Sequence, residues 1–391
     1  MQYIDPTSEE IRSAITTRSQ NFMDFIVPFD ELNCEVIENN ISPAVDDGLI
    51  SLPAGACVMP SVRFQYPLGT AQFSRHALNQ LLARVQLSTH YWNRLNGWNA
   101  HELMVDNFNF CNETTANEIS RQRRSNDPSY LFRLNSASAI AHRDADNEED
   151  DDEEEIQLNL TTPVRAVLSR YYTTFDDSEL FPMLMDQLDE EDNVSYSLYE
   201  YDDHITRLHI KLIDTEREYN NVTYSAGMVI TNSEVGSSSI WVEPVVYRNG
   251  SIYANRNILG KQNLQMKIVH RGDIDRDRVL TMFEECGNIA QVGIVQLVEA
   301  FQQKIEPAHA VTLMQNIVDF PNRMALILGE EWEHEEDLKR ADVAAAILDM
   351  AQTLPLFQKA KIEQAAGKIV GLFEDYSTRM NQILDDLNDE E

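Results

Sequence analysis

His204-Ile-Thr-Arg-Leu-His-Ile-Lys-Leu212 is the stretch on which the fold turns. Leu208, Ile210 and Leu212 alternate with Arg207, His209 and Lys211, and a period of two is that of an antiparallel strand with one buried and one solvated face. The outward face of such a strand is basic. On its amino-terminal side, Pro163 to Tyr172 has the same period and Asp177 to Leu188 reads as a helix opened by acidic residues. On its carboxy-terminal side, Gly227–Asn232 and Ser238–Tyr247 add two strands, and Asn249-Gly250 is a hairpin turn signal. Pro244 predicts an edge strand or a bulge.

Further upstream, Ala77, Leu78, Leu81, Leu82 and Val85 have helical spacing and predict a short amphipathic helix in an otherwise irregular amino-terminal region. From Ile274 onward the period becomes helical. Val279, Met282, Phe283, Cys286, Ile289, Val292, Val295 and Leu297 make one broad apolar face, and more helices are expected over 308–317, 342–352 and 358–387. The fold class is therefore α+β, an antiparallel or mixed sheet with a helix, followed by a helical carboxy-terminal domain. The expected spans are 1–47, irregular or helical; 48–272, the sheet core; and 273–391, acidic and helical.

A chain of 391 residues predicts two or three domains. Met1-Gln2-Tyr3-Ile4-Asp5-Pro6 lacks a basic start before an apolar run, and no stretch approaches the roughly 18 apolar residues of a membrane span. Cys34, Cys57, Cys111 and Cys286 lie far apart without a C-x-x-C pairing, so they read as reduced thiols. The expected location is the cytoplasm of a host cell, with no membrane association.

The net charge of -34 argues, taken whole, against nucleic acid as a ligand, because phosphate attracts Lys and Arg. Its distribution argues otherwise. Gly48 to His101 holds no Asp or Glu but has Arg63, Arg75, Arg84 and Arg94. Val245 to Gly272 is likewise free of acids and carries Arg248, Arg256, Lys261, Lys267 and Arg271. A third stretch sets Arg121, Arg123, Arg124, Arg133 and Arg143 against Asp127 alone. The acids concentrate from Glu330 onward and in the run at 144–156, which is too charged to bury anything and is expected to be a disordered insertion within the core domain.

Single-stranded DNA is held by a basic groove and by aromatic faces on which bases stack. Arg207, Lys211, Arg248, Arg256, Lys261, Lys267 and Arg271, with Trp241, Tyr247 and Tyr253, form a candidate strip of that kind. The same residues are equally read as a solvated strand face with core aromatics. Arg121-Gln-Arg-Arg124 either contacts phosphate, is covered by the acidic run acting as a nucleic-acid mimic, or is a basic loop balanced by its neighbour. Asn232-Ser-Glu-Val-Gly236 reads as a strand end and a turn, with Gly236 suited to positive φ; its polar groups either orient a ligand or bond to the backbone.

Val164-Arg-Ala-Val-Leu-Ser-Arg-Tyr-Tyr172, Asn232-Ser-Glu-Val-Gly-Ser-Ser-Ser-Ile240, Val242-Glu-Pro-Val-Val-Tyr247 with Asn249-Gly250, and Val269-His-Arg271 occur in the order found in one family. Over roughly residues 50 to 300 the chain resembles the phage/plasmid-like protein family built on the uncharacterised domain numbered nine-three-two. The resemblance implies a compact sheet with a helix, similar in outline to single-strand annealing proteins, and a place in phage or plasmid genomes; it assigns no residue a role. The acidic run falls where that family has a short connection.

Enzyme motifs are missing: Gly260-Lys261 lacks the earlier glycine of a phosphate loop, and neither G-x-S-x-G nor G-x-G-x-x-G occurs. Trp332-Glu-His-Glu-Glu-Asp337 has no second His at four-residue spacing and reads as a helix start with acids in its first turn. No catalytic residue, cofactor or metal is expected, although dispersed carboxylates leave a metal-dependent nuclease open. The expected function is a phage-type single-stranded DNA-binding protein in recombination, replication or transcription, whose acidic parts contact a polymerase or replication protein. The alternative is an acidic mimic that binds a basic protein and no DNA.

Overall fold

The computed structural model describes residues 1–19, 22–36, 56–57, 62–66, 69–121, 129–135, 163–169, 171–249, 251–254, 267–272, 274–316, 322–335, 337–351 and 354–372. In chain order the strands are β1 (Gln2–Ile4), β2 (Phe22–Pro28), β3 (Asn33–Val36), β4 (Ala56–Cys57), β5 (Val62–Tyr66), β6 (Gly69–Ser74), β7 (Ser129–Asn135), β8 (Pro163–Ser169), β9 (Val194–Tyr201), β10 (Thr206–Leu212), β11 (Arg217–Tyr219), β12 (Val222–Asn232), β13 (Ile240–Arg248), β14 (Ser251–Ala254) and β15 (Lys267–Ile268). The helices are α1 (Ser8–Ser19), α2 (Arg75–Arg84), α3 (Thr89–Gly97), α4 (His101–Arg121), α5 (Asp177–Leu188), α6 (Arg276–Ala300), α7 (Pro307–Asn316), α8 (Asn322–Trp332), α9 (Arg340–Ala351) and α10 (Leu356–Ile369). The fold is α+β. The chain forms two compact units, one made of Met1–Ile15 with Thr174–Glu391 and the other of Thr16–Thr173.

In the first unit the strands pair antiparallel in the order β1-β9-β10-β12-β13-β14, with β11 on β12 and β15 on β13. Register alternation sends Leu208, Ile210, Ala226, Met228, Ile230, Val242 and Val246 to one face, where they join Leu180, Phe181 and Leu184 of α5 and Val279, Met282, Cys286 and Leu297 of α6 in one core. α6 is long because one stripe of it spans that face. The expected apolar stripe drifts there: Ala290 and Ile294 are buried whereas Val295 is 55% exposed. A helix of 3.6 residues per turn cannot keep every member of so broad a stripe inward.

Along β10 the other sheet face is not solvated, and this corrects the expected basic surface. Thr206 through Ile210 and Leu212 are buried, leaving Lys211 alone half-buried. α10 lies against β14 so closely that a Cβ on Gly367 would stand 1.9 Å from the carbonyl oxygen of Ala254. Val229, Val245, Tyr247, Ile252 and Ala254 fill a small second core on this side. Pro244 lies in an interior strand; among the described residues β13 pairs with β15 at Ile240–Trp241 and with β14 at Val245–Arg248. Pro244 falls between these two pairings, so among the described residues its missing N–H breaks no pairing on that side. Asn249 takes φ 47° at the hairpin turn.

The second unit is more regular than its sequence suggests. Its sheet runs β2-β7-β8-β6-β5-β3, with β6 and β8 parallel and β4 on β6. β7 and β8, which flank the acidic insertion, pair antiparallel. Strands of two to seven residues separated by turn residues give no sustained period, so the expectation of an irregular region fails here. α2 starts where Ser74 Oγ accepts from the Ala77 N–H at 3.1 Å, and Ala77, Leu78, Leu81 and Leu82 enter a core shared with Trp92, Phe108, Tyr130 and Phe132. Asn112 on α4 donates to the Phe29 carbonyl at 2.6 Å and accepts from Tyr130 Oη at 2.6 Å.

Candidate nucleic-acid interface

Arg207 does not face solvent. It is 1% exposed and lies among carboxylates, donating to Glu200 Oε1 at 2.9 Å and to Glu363 of α10. His209 Nε2 donates to Glu200 Oε1 at 3.0 Å, Lys359 Nζ to Glu200 Oε2 at 2.8 Å, and Gln364 Nε2 to Glu243 Oε1 at 3.1 Å. The stretch of α10 from Lys359 to Gln364 thus supplies the partners for a polar row that β9, β10 and β13 present side by side.

Burial pushes the Glu200 carboxyl up, but the hydrogen bond from His209 and the charges of Arg207 and Lys359 outweigh it and hold the group well below the usual carboxylate range. Burial and the Arg207 charge lower His209, which is therefore neutral with its proton on Nε2. Burial opposes the Arg207 charge, and Glu363 and Glu200 more than restore it. The row is a structural ion network in which, among the described residues, Arg207 Nε and His209 Nδ1 have no hydrogen-bond partner.

The aromatic half of the expected strip is also largely internal. Tyr253 is 0% exposed and packs with the α6-side core, and Tyr247 is buried with its hydroxyl donating to the Ile210 carbonyl at 3.3 Å. Lys211 Nζ lies 5.5 Å from the Tyr247 ring centroid, and the Arg248 guanidinium sits 3.8 Å from that of Phe301 while its Nε reaches Tyr224 Oη at 3.3 Å. Arg256, Lys261, Arg123 and Arg124 lie outside the described residues, as do the side chain of Arg121 and the acidic insertion. Arg133 is withdrawn as a surface cation too: it is 1% exposed and grips Asp24 with Nε at 2.8 Å and Nη2 at 2.7 Å.

Three members of the strip remain accessible together. Trp241 and Lys267 are half-buried register partners on β13 and β15, with Lys267 Nζ 5.3 Å from the indole centroid, and Arg271 is exposed four residues further on. A cation over a ring beside a second, exposed cation is the minimal arrangement for a base and a phosphate.

The Asn232–Gly236 segment is the expected strand end and turn, with Gly236 at φ 70°. Its polar groups serve the chain itself. Glu234 Oε1 accepts from the Asp177 N–H at 3.1 Å, capping α5 from the turn after β12. Asn232 donates to the Phe175 carbonyl and to Asp177 Oδ1, and His270 Nε2 meets Asn232 Oδ1 at 3.1 Å. No sequence signal announced Glu234 as a cap, because its partner lies on another element.

A cavity of about 310 Å³ opens between α5, β9, β10, β12 and α6, lined by Leu188, Leu212, Met228 and Phe283 together with Glu191 and Glu284. Two carboxylates make it unsuited to phosphate. Trp332 ends α8 rather than starting a helix, and among the described residues no three His, Cys, Asp or Glu groups gather as a metal site. Among those residues no helix is long and apolar enough to cross a membrane. No family model matches the chain, and neither the curated proteins nor the solved structures contain a match.

Proposed function

We propose that the protein binds single-stranded DNA without catalysing its change, in phage recombination, replication or transcription. The site lies where β13 meets β15, at the margin of the sheet face rather than along β10. The observation that carries this reading is Lys267 over Trp241, with exposed Arg271 beyond; the two cations belong to a segment free of acids from Val245 to Gly272 on a chain of charge -34. Local positive charge draws the phosphates, the indole offers a stacking face, and the surrounding acids disfavour the denser charge of a duplex. Acidic surfaces elsewhere are open to a polymerase or replication protein.

The test is fluorescence anisotropy of labelled single-stranded and duplex oligonucleotides over a salt series. Binding to the single strand is expected to weaken with salt, and Lys267→Ala with Arg271→Ala should lower the slope by about 0.7 for each phosphate that is no longer neutralised. Absence of binding at low salt would overturn the reading and favour the acidic-mimic alternative, which the total charge supports.

A further inference from the structure

α3 reads Thr89-His-Tyr-Trp-Asn-Arg-Leu-Asn-Gly97, with Ser88 Oγ accepting from the Tyr91 N–H to start it and Trp98 ending it. Its buried side is complete without its other aromatics: Trp92 is 0% and Leu95 2% exposed, and both belong to the core of the second unit. Tyr91, Arg94 and Trp98 stand three and four residues apart, so they share a stripe that flanks the buried one. Trp98 is 63% and Tyr91 39% exposed, and the Arg94 guanidinium lies 4.8 Å from the Trp98 ring centroid.

Tyr91 and Trp98 are thus large aromatics left partly in water beside a cation. The charge around them narrows what they serve. α2 and α3 contain no Asp or Glu, and none occurs from Gly48 to His101. The next acids along the chain, exposed Glu102, Asp106 and Glu113, lie on α4. An acid-free aromatic stripe on an acidic protein is complementary to an anion with planar faces. Only an unpaired strand offers those faces, since a duplex keeps its bases stacked on each other.

We propose that the Tyr91–Arg94–Trp98 stripe is a second single-strand platform, carried by the second unit, on which a base stacks against Trp98 while Arg94 meets its phosphate. This rests on the single-strand reading above and adds to it a binding surface on a separate unit. The experiment photo-crosslinks a 5-iodouracil-substituted oligothymidylate to the full chain, maps the peptides, and measures affinity of Trp98→Ala, Arg94→Gln and Trp98→Phe by anisotropy. Crosslinks at Tyr91 or Trp98 are expected, with Trp98→Ala binding about 5- to 150-fold more weakly and Trp98→Phe recovering much of the loss. Unchanged affinity in Trp98→Ala, with crosslinks confined to the peptide of Lys267 and Arg271, overturns this inference and leaves the β13–β15 site standing. Weaker binding by Trp98→Ala with Lys267→Ala silent supports the stripe and removes that site instead. No binding by the unaltered protein overturns both.

Discussion

Replacing Arg207 by Ala separates a surface cation from a buried one. In the structure Arg207 is the shared partner of Glu200 and Glu363, whose side chains are 5% and 3% exposed. Glu200 keeps Lys359 and His209 after the substitution, so the carboxylate stranded without a cation is Glu363. Breaking a buried pair from one side costs about 3–5 kcal/mol, whereas an exposed strand cation costs within about 0.5 kcal/mol. For a unit of this size, each kcal/mol lowers the melting temperature by roughly 2–4 °C, giving a fall of about 6–20 °C. Calorimetry is the assay, and the loss should fall on the first unit, because the second has its own core. Replacing both Arg207 and Glu363 by Leu should restore most of it, since a buried pair exchanged for apolar side chains is near neutral. A melting temperature unchanged in Arg207→Ala, or a double variant no better than the single one, would refute the reasoning.

Two further outcomes follow from the same face. His209 is held below its ordinary 6.5 by burial and by Arg207, so between its folded value and 6.5 the unfolded chain binds the extra proton. That share of stability is complete above pH 6.5 and is lost as pH falls, by at most about 1.4 kcal/mol per pH unit; Glu200, depressed from 4.5, adds its own loss only at lower pH. Urea unfolding at pH 7.5 and 5.5 should show a smaller difference in His209→Gln than in the unaltered chain, and an equal difference would count against a neutral buried imidazole. Gly367→Ala, which in a free helix stabilises by about 1 kcal/mol, should instead destabilise by about 1–3 kcal/mol or more, because its Cβ would meet the Ala254 carbonyl at 1.9 Å. A stabilised variant would mean that α10 does not lie where it is described.

The elements that were legible are those whose periods are local. α5 matches its expected span, and β10, β12 and α2 fall within a few residues of theirs, since caps, alternation and helical spacing are properties of neighbours in sequence. Burial was not legible where it depends on a distant partner. Arg207, His209 and Lys211 alternate with leucine and isoleucine whether water or α10 covers them, and the cover comes from Glu363, more than 150 residues away. The same blindness hid the Arg133 pair with Asp24 and the Glu234 cap. Of the proposed strip, Trp241 and Lys267 were brought together as register partners, while Tyr247 and Tyr253 went to the two sides of the sheet as core residues. The exposed Tyr91 and Trp98 carried no signal of their own, because an aromatic at helical spacing reads as core until a packed neighbour is seen to occupy that place.

The edge strand β1 has a consequence for synthesis on the ribosome. Its Tyr3 pairs with Tyr199, and the Met1 amino group donates to the Tyr201 carbonyl. At about 5–20 residues per second, the segment that receives it is made roughly 10–40 s after the strand itself. Throughout that wait all of Thr16–Thr173 emerges and has its sheet partners available. The inserted unit is thus free to fold first, while β1 stays unpaired until β9 has been made.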